Sequence, residues 1–303
     1  MLEKAKRPFP GWLKVKAPGS RNYLELKRLV RSLNLNTVCE SAQCPNIGEC
    51  WEGRTATFMI LGDVCTRSCG FCAVKTGRPT WLDEGEPERV AQAIAKLDLQ
   101  HAVITSVNRD ELEDGGAGIF ARTLEAVHRL CPQTTVEVLI PDFQGNWDAL
   151  NTVLAAAPDI LNHNIETVPR LYTTMRPQAK YERSLELLKR ARIDGRAPTK
   201  SGIMLGAGET MAEAERTITD LVEVGCSILT VGQYLSPSAK HVPIARFVHP
   251  DEFEELGAFA RRIGFGHVES APLVRSSYHA AQQVDTFERT LEEPLIHLNA
   301  LKI

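Results

Sequence analysis

The 303 residues suffice for one large α/β domain with appendages or for two ordinary domains. With 43% apolar and 24% charged residues, wholesale disorder, a collagen-like chain and a coiled coil are excluded. The net charge of −3 is uneven, because residues 1 to 36 carry nine Lys and Arg against Glu3 and Glu25, a local +7 that leaves −10 for the rest.

A sequence pI near 6.3 and the lack of interleaved aromatic platforms argue against nucleic acid as the partner of that basic segment. It reads as a solvated arm, with docking of an acidic protein left open. No apolar run approaches the ~20 residues of a membrane span. The start, "MLEKAKRPFPGWLKVK", has no hydrophobic run behind its charges. The expectation is a cytoplasmic protein with no membrane contact.

Residues 1–54 fit no repeat and are expected to form an N-terminal extension. From Thr55 onward, apolar strand-like runs alternate with helical patterns, the mark of βαβ units and a parallel sheet. The expected strands are 55–62, 101–107, 135–141, 160–167, 199–206 and 227–235. Between them, Pro87 stands at a first-turn position before Val90, Ala93, Ile94 and Leu97. Thr210 and Glu213 read as a capping box before Ile218, Leu221 and Val222, and Pro250 opens a helix over Asp251 to Arg262. Residues 55–265 thus form the repeating body, and 266–303 a C-terminal extension.

Six consecutive parallel units suggest a barrel-like sheet, although periodicity alone does not separate a partial barrel from a doubly wound open sheet. Either puts chemistry at the carboxyl ends of the strands. In "ILNHNIET" one face, Asn162, Asn164 and Glu166, is wholly polar, which in a helix-covered sheet points to a polar interior cavity. His163, on the other face, reads as a packed histidine.

Six of eight cysteines fall in two triplets, Cys39, Cys44 and Cys50, then Cys65, Cys69 and Cys72. Odd groups argue against a disulfide framework. Cys131 sits at helical spacing with Phe120, Leu124 and Val127, and Cys226 opens the apolar run "CSILTVG", so both are expected in the core. Thiolates select iron–sulfur clusters, zinc or copper(I). A cuboidal four-iron cluster normally takes four cysteines, so a loop that supplies three leaves one iron open for chemistry. Zinc remains an alternative for each triplet, although neither shows paired CxxC units.

CxxxCxxC after the first strand, with Phe71 before its last cysteine, resembles the cluster loop of the radical S-adenosylmethionine (radical SAM) superfamily. Further phrases, "TVCESAQCPNIGECW", "GRTATFMILGDVCTRSCGFC", "LNHNIETVPRLY", "GQYLSPS" and "LVRSSYHA", resemble the lipoyl synthase family over nearly the whole chain. The resemblance implies a partial (β/α)6 barrel of the radical SAM type with N-terminal and C-terminal extensions. It implies S-adenosylmethionine and two [4Fe-4S] clusters as cofactors: a radical SAM cluster on Cys65, Cys69 and Cys72, and an auxiliary cluster on Cys39, Cys44 and Cys50. Ser277 is the implied ligand to the auxiliary cluster's fourth iron, with Ser276 in reserve.

The implied reaction is insertion of two sulfur atoms, at carbons six and eight, into an octanoyl chain held in amide linkage on a lysine of a carrier. The implied carrier is the glycine cleavage H protein or a dehydrogenase E2 lipoyl domain. A flavodoxin or ferredoxin-type reductant and an iron–sulfur carrier that rebuilds the consumed cluster are the other implied partners. Asp114, Gly115 and Gly116 stand where relatives place a loop near the cosubstrate amino group, although glycines there also suit a simple turn. Asn164 and Glu166 face the expected cavity, and Arg176 is a further cosubstrate candidate. Ala271 stands where the family suggests glycine. Biotin synthase lacks the upstream triplet and the terminal RSSY, and an electron-transfer protein would need neither the βα units nor a polar cavity.

Overall fold

A computed structural model describes residues 9–15, 17–278 and 280. Its main sheet runs β1 (Asn36–Thr37), β2 (Thr57–Ile60), β3 (His101–Ser106), β4 (Thr135–Leu139), β5 (Ile160–Asn162), β6 (Thr199–Leu205), β7 (Ile228–Gln233) and β8 (His267–Ser270). Spatial order equals chain order, and every pair is parallel except β1 with β2. A doubly wound sheet reverses its strand order at a switch point. This one never does, so the strands curl in one direction as a partial barrel.

All six expected strands form. The run 160–167 pairs as a ladder only to Asn162, because the backbone turns at Glu166, whose φ is 66°, leaving a single bridge from Glu166 to Ile203. Two strands lie outside the six, β1 on one edge and β8 on the other. β8 pairs with β7 from His267↔Ile228 to Ser270↔Val231, so the chain after Phe265 extends the sheet in its own plane.

The helices are amphipathic and bury their apolar stripe against the sheet. They are α1 (Arg21–Ser32), α2 (Glu86–Leu97), α3 (Ala117–Leu130), α4 (Trp147–Ala155), α5 (Tyr181–Asp194), α6 (Met211–Glu223) and α7 (Pro250–Ile263). Pro87 in the first turn of α2 and the Thr210–Glu213 capping box of α6 form as expected. Phe58, Ile60, Ile104 and Val138 meet Val90, Ile94, Phe120 and Leu124 in one apolar cluster. Ile203, Leu205, Leu229 and Val231 join Ile218, Leu221, Phe253 and Leu256 in a second. Cys226 belongs to the second and Cys131 packs at the edge of the first. His163 is satisfied within the core, its ring nitrogens 2.8 Å from the Ile140 carbonyl and 2.9 Å from Ser184 Oγ.

The strand face turned away from the helices is polar. The Lys200 ammonium on β6 donates to Glu137 on β4 at 2.8 Å, and neither side chain has any exposed surface. Asn162 on β5 donates to the other Glu137 oxygen at 2.7 Å, and His101 on β3 is 3.9 Å away. Burial holds the Lys200 ammonium below its ordinary pKa, with the Glu137 carboxylate opposing that effect.

A buried ion pair is costly to break, since the remaining charge has no water to return to. Lys200→Met should therefore lower the unfolding free energy by ~3–5 kcal/mol, and adding Glu137→Leu should restore part of that loss. Denaturant titration of both variants beside the parent chain checks the order; a double variant less stable than the single one would contradict it.

Candidate active site

Leu61 (φ 69°) and Gly62 (φ 91°) turn the chain out of β2 into the second cysteine segment. A two-residue parallel ladder, Val64–Cys65 with Lys75–Thr76, closes the segment into a loop that carries Cys65, Cys69 and Cys72. Three other segments fasten it. The Asn108 backbone and side-chain amides, just past β3, donate to Cys65 Sγ at 3.3 and 3.7 Å. Gly70 donates to the Met175 carbonyl and accepts from Val242, both at 2.9 Å. A Cβ at Gly70 would lie 2.6 Å from the Thr174 carbonyl oxygen, so only glycine permits this approach. His241 Nε2 lies 3.0 Å from the Cys72 carbonyl oxygen.

Inside the loop, buried Arg67 grips Asp110 with two bonds of 2.7 and 2.8 Å and Asp142 with one of 2.6 Å. Arg183 reaches the far side of Asp142 at 2.8 Å. Burial alone would raise the Asp142 carboxyl, but the Arg67 guanidinium holds it well below the usual carboxylate range. A planar fork with two carboxylates fixes an orientation as well as a charge. Sequence reasoning missed Arg67, Asn108 and His241. For Asn108 a signal existed, since it directly follows an expected strand at its carboxyl end.

Asn164, Glu166 and Arg176 come together beside this loop. The Asn164 amide donates to Glu166 at 3.1 Å. Arg176 donates to the carbonyls of Asn164 and Ile165 at 2.9 and 3.2 Å, and its guanidinium lies 5.4 Å from the Tyr172 ring centre. Burial pushes the Cys69 thiol up to about 12, partly offset by Arg176, and the Cys72 thiol up to about 11, with Glu166 adding to both. Glu166 and Arg176 thus act electrostatically on the cysteine loop, and Asn164 is bonded to Glu166. The Asn164 side-chain oxygen, Oδ1, is buried with no hydrogen-bond partner among the described residues, an acceptor still to be used.

Asp114, Gly115 and Gly116 do other work in the described structure. The Asp114 carboxylate accepts from the backbone amides of Gly116 and Gly118, both at 2.8 Å, and so caps the start of α3. Gly116 (φ 90°) packs on Leu61, where a Cβ would meet Leu61 Cδ1 at 2.3 Å. The segment braces the turn that launches the cysteine loop.

The first triplet lies elsewhere. The Thr37 hydroxyl caps the short helix Val38–Ser41, which carries Cys39; Cys44 follows in a turn, and Cys50 sits on the helix Ile47–Glu52. All three line a small cavity together with Thr57, Arg275, Ser277 and Tyr278. Ser276 is not among its lining residues. The Thr57 hydroxyl donates to Ser277 Oγ at 2.9 Å. Asn46 donates to the Leu273 carbonyl at 2.6 Å, and the Tyr278 hydroxyl to Glu49 at 3.2 Å. Segments more than 200 positions apart in the chain thus close one chamber. Burial raises the Cys39 thiol to about 11 and the Cys50 thiol to about 12.

Residues 59–221 match the model of the radical SAM superfamily, and residues 1–44 match that of the N-terminal domain of lipoyl synthase of the radical SAM family. A lipoyl synthase of Rubrobacter xylanophilus is 58% identical over 288 residues, covering 95% of this chain and 90% of its own. One of Chloroflexus aurantiacus is 59% identical over 272 residues, 89% of either chain. The chain belongs to the lipoyl synthase family.

As a lipoyl synthase family member it works through S-adenosylmethionine and iron–sulfur chemistry. The fold is shared with the solved structure of Streptococcus suis SuiB bound to its precursor peptide, at 10% identity and a TM-score of 0.57, over 81% of this chain and 52% of that one. Among the described residues, no three His, Cys, Asp or Glu side chains converge closely enough to share a single metal ion. Tetrahedral zinc gathers its sulfurs within about 2.3 Å of one centre. A cuboidal cluster spreads its thiolates over different irons, so wider triplets suit it. Among the described residues no helix is long and apolar enough to cross a membrane.

One carboxyl beside the loop makes stability depend on pH. Glu86 at the start of α2 accepts from the Leu61 amide at 2.6 Å, and burial raises its pKa from 4.5 to about 7. A raised folded-state pKa contributes stability that is fully present below the unfolded value and is lost as pH climbs through the folded one. Unfolding free energy should therefore fall by up to ~3 kcal/mol between about pH 4.5 and pH 7 from this group. Glu86→Gln, whose amide oxygen still accepts from Leu61, should flatten that window in denaturant titrations; an unchanged slope would assign the dependence to other groups.

Proposed function

We propose that this enzyme inserts two sulfur atoms at carbons six and eight of an octanoyl chain carried on a lipoyl carrier protein, using two [4Fe-4S] clusters and one S-adenosylmethionine per insertion. The observation that carries the reading is the second chamber. Cys39, Cys44 and Cys50 meet Ser277 from the other end of the chain in a cavity separate from the CxxxCxxC loop. When bound, the first cluster and its cosubstrate supply a hydrogen-abstracting 5'-deoxyadenosyl radical, and the auxiliary cluster supplies sulfur.

In this reading Cys65, Cys69 and Cys72 would hold the first cluster, which would bind S-adenosylmethionine. Asn108 fixes the Cys65 sulfur through two donors, and Arg67 ties the loop between Cys65 and Cys69 to Asp110 and Asp142. The free Asn164 acceptor and the Glu166 carboxylate suit the hydroxyl and amino donors of the cosubstrate, and Arg176 locks the backbone that presents them. Asp114, Gly115 and Gly116 contribute to cosubstrate binding by bracing the loop's base. Cys39, Cys44, Cys50 and Ser277 hold the auxiliary cluster. Both chambers hold their thiols in reduced form, and no cysteine is in a disulfide among the described residues, which suits a cytoplasmic enzyme.

The carrier is the glycine cleavage H protein or a dehydrogenase E2 lipoyl domain. A flavodoxin or ferredoxin-type reductant and an iron–sulfur carrier complete the cycle. Exposed Lys14, Arg21, Arg28 and Arg31 at the N-terminal end supply a basic surface for an acidic carrier, while Lys16 lies outside the described residues. Phe9 and Trp12 hold that arm on the body through Phe247 and His249, at ring distances of 5.5 and 5.2 Å.

The two chambers are separable by substitution. Cys69→Ala should abolish reductive cleavage of S-adenosylmethionine yet retain about half the iron and sulfide. Cys44→Ala should keep 5'-deoxyadenosine production and make no thiolated carrier. Anaerobic turnover with an octanoylated lipoyl domain, read by carrier mass spectrometry beside iron and sulfide analysis, measures both. Zinc without sulfide in the parent chain would sink the whole reading.

Ser277 gives a finer test. Ser277→Ala should assemble most of the auxiliary cluster on three thiolates but lose far more activity than iron, whereas Ser276→Ala should keep both. The reverse pattern would move the role by one residue.

A further inference from the structure

Among the described residues, three buried cations come with carboxylates. Lys200 has Glu137, Arg67 has Asp110 and Asp142, and Arg109 has Glu111. Among the same residues, Arg176 is buried without an ion pair but donates to the carbonyls of Asn164 and Ile165, whereas partly buried Arg275 has neither an ion pair nor such a set of acceptors. It lines the chamber with Cys39, Cys44, Cys50 and Ser277, and no Asp or Glu pairs with it among the described residues. Its recorded hydrogen bond runs from Nη1 to the carbonyl of the preceding residue, Val274, at 2.6 Å.

The position is enforced by the backbone. Val274 packs on the end of β7 at Gly232, where a Cβ would lie 2.1 Å from the Val274 carbonyl oxygen and 3.3 Å from Arg275 Nη1. Any side chain there would push the segment and the guanidinium out of the chamber. A glycine that admits a cation, in a pocket with no carboxylate to meet it, points to an anion that arrives from outside the chain.

We propose that Arg275 is the counter-ion of the auxiliary cluster, a fixed positive charge that donates to its sulfide or thiolate sulfur. The proposal rests on the auxiliary-cluster reading above. A cuboidal core of charge two-plus with three thiolates and one alkoxide carries about two negative charges. Placed in a desolvated chamber, that charge needs a cation that cannot deprotonate, which a guanidinium supplies and an amine does less well. Arg275 is then a positioning and electrostatic residue. It should favour the more negative, reduced state of the cluster, and slow the loss of its iron.

The test uses the full chain carrying Cys69→Ala, so that the auxiliary cluster is the only one present. Failure of that protein to bind iron and sulfide would remove the auxiliary-cluster reading itself before any Arg275 variant is made. With the cluster in place, Arg275→Gln should shift its reduction potential to more negative values in an EPR-monitored titration. Iron release to a chelator should quicken on the order of tenfold, as expected for losing a charge-assisted hydrogen bond. Arg275→Lys should stay close to the parent in potential and lie between the two in release rate. If the Gln variant assembles no cluster while the Lys variant does, the need for charge is supported in another form. Gln and Lys variants with the parent's potential and release rate would overturn the proposal.

Discussion

Taking a charge out of water costs several kcal/mol unless an opposite charge or a full set of hydrogen bonds travels with it. The concave face of this sheet is nonetheless lined with charged and polar groups. The strands tolerate them because partners come from neighbouring strands in register. Asn162 and Lys200 are direct ladder partners, and Glu137 on the strand beyond reaches both. Curling the sheet brings the three side chains to one interior point. A flat sheet with helices on both faces would have buried each of them against apolar side chains instead. The polar interior and the single-direction strand order are thus two aspects of one requirement.

The same constraint separates scaffold from site. The charges of Lys200 and Arg67 are paired within the chain, and these groups hold shape. Pairing is left open at the Asn164 side-chain oxygen and at Arg275, and these lie beside the second and first cysteine triplets respectively. An open acceptor suits a ligand rich in hydroxyl and amino donors, and an open cation suits an anionic group. Each chamber is short of what its proposed occupant would bring.

Much of this was legible in the chain. Strands buried on both faces write long apolar runs, so all six could be placed, and the cysteine spacings carried both triplets. Three features escaped for physical reasons. β1 is two residues long, too short for any periodicity, and β8 begins within "GHVES", whose inward residues His267 and Glu269 break the apolar run. The polar alternation at Asn162, Asn164 and Glu166 correctly implied an interior, but not the positive φ at Glu166 that ends the ladder. Arg67 and Arg275 were invisible because a lone arginine in a sequence does not disclose whether water or a carboxylate will face it. The choice between a barrel and an open sheet depended on spatial strand order, which no local pattern encodes.

The Thr57–Ser277 hydrogen bond adds a last step. Thr57 belongs to β2, the first strand of the parallel series, and its hydroxyl donates to Ser277 across 220 positions of sequence. An oxygen that accepts one hydrogen bond keeps a lone pair for a metal, and the donor stabilises it once its own proton has gone. Were Ser277 to bind a metal and lose it, the Thr57 bond would remain, so the serine would not be stranded as an unsatisfied buried group. Cysteine has no comparable fallback, because sulfur accepts hydrogen bonds weakly and gains most of its stabilisation from the metal itself. A chamber built from three thiols and one hydrogen-bonded hydroxyl therefore has one corner at which losing and regaining a ligand costs little. That asymmetry is what a cluster spent in turnover and rebuilt afterwards would require of its protein.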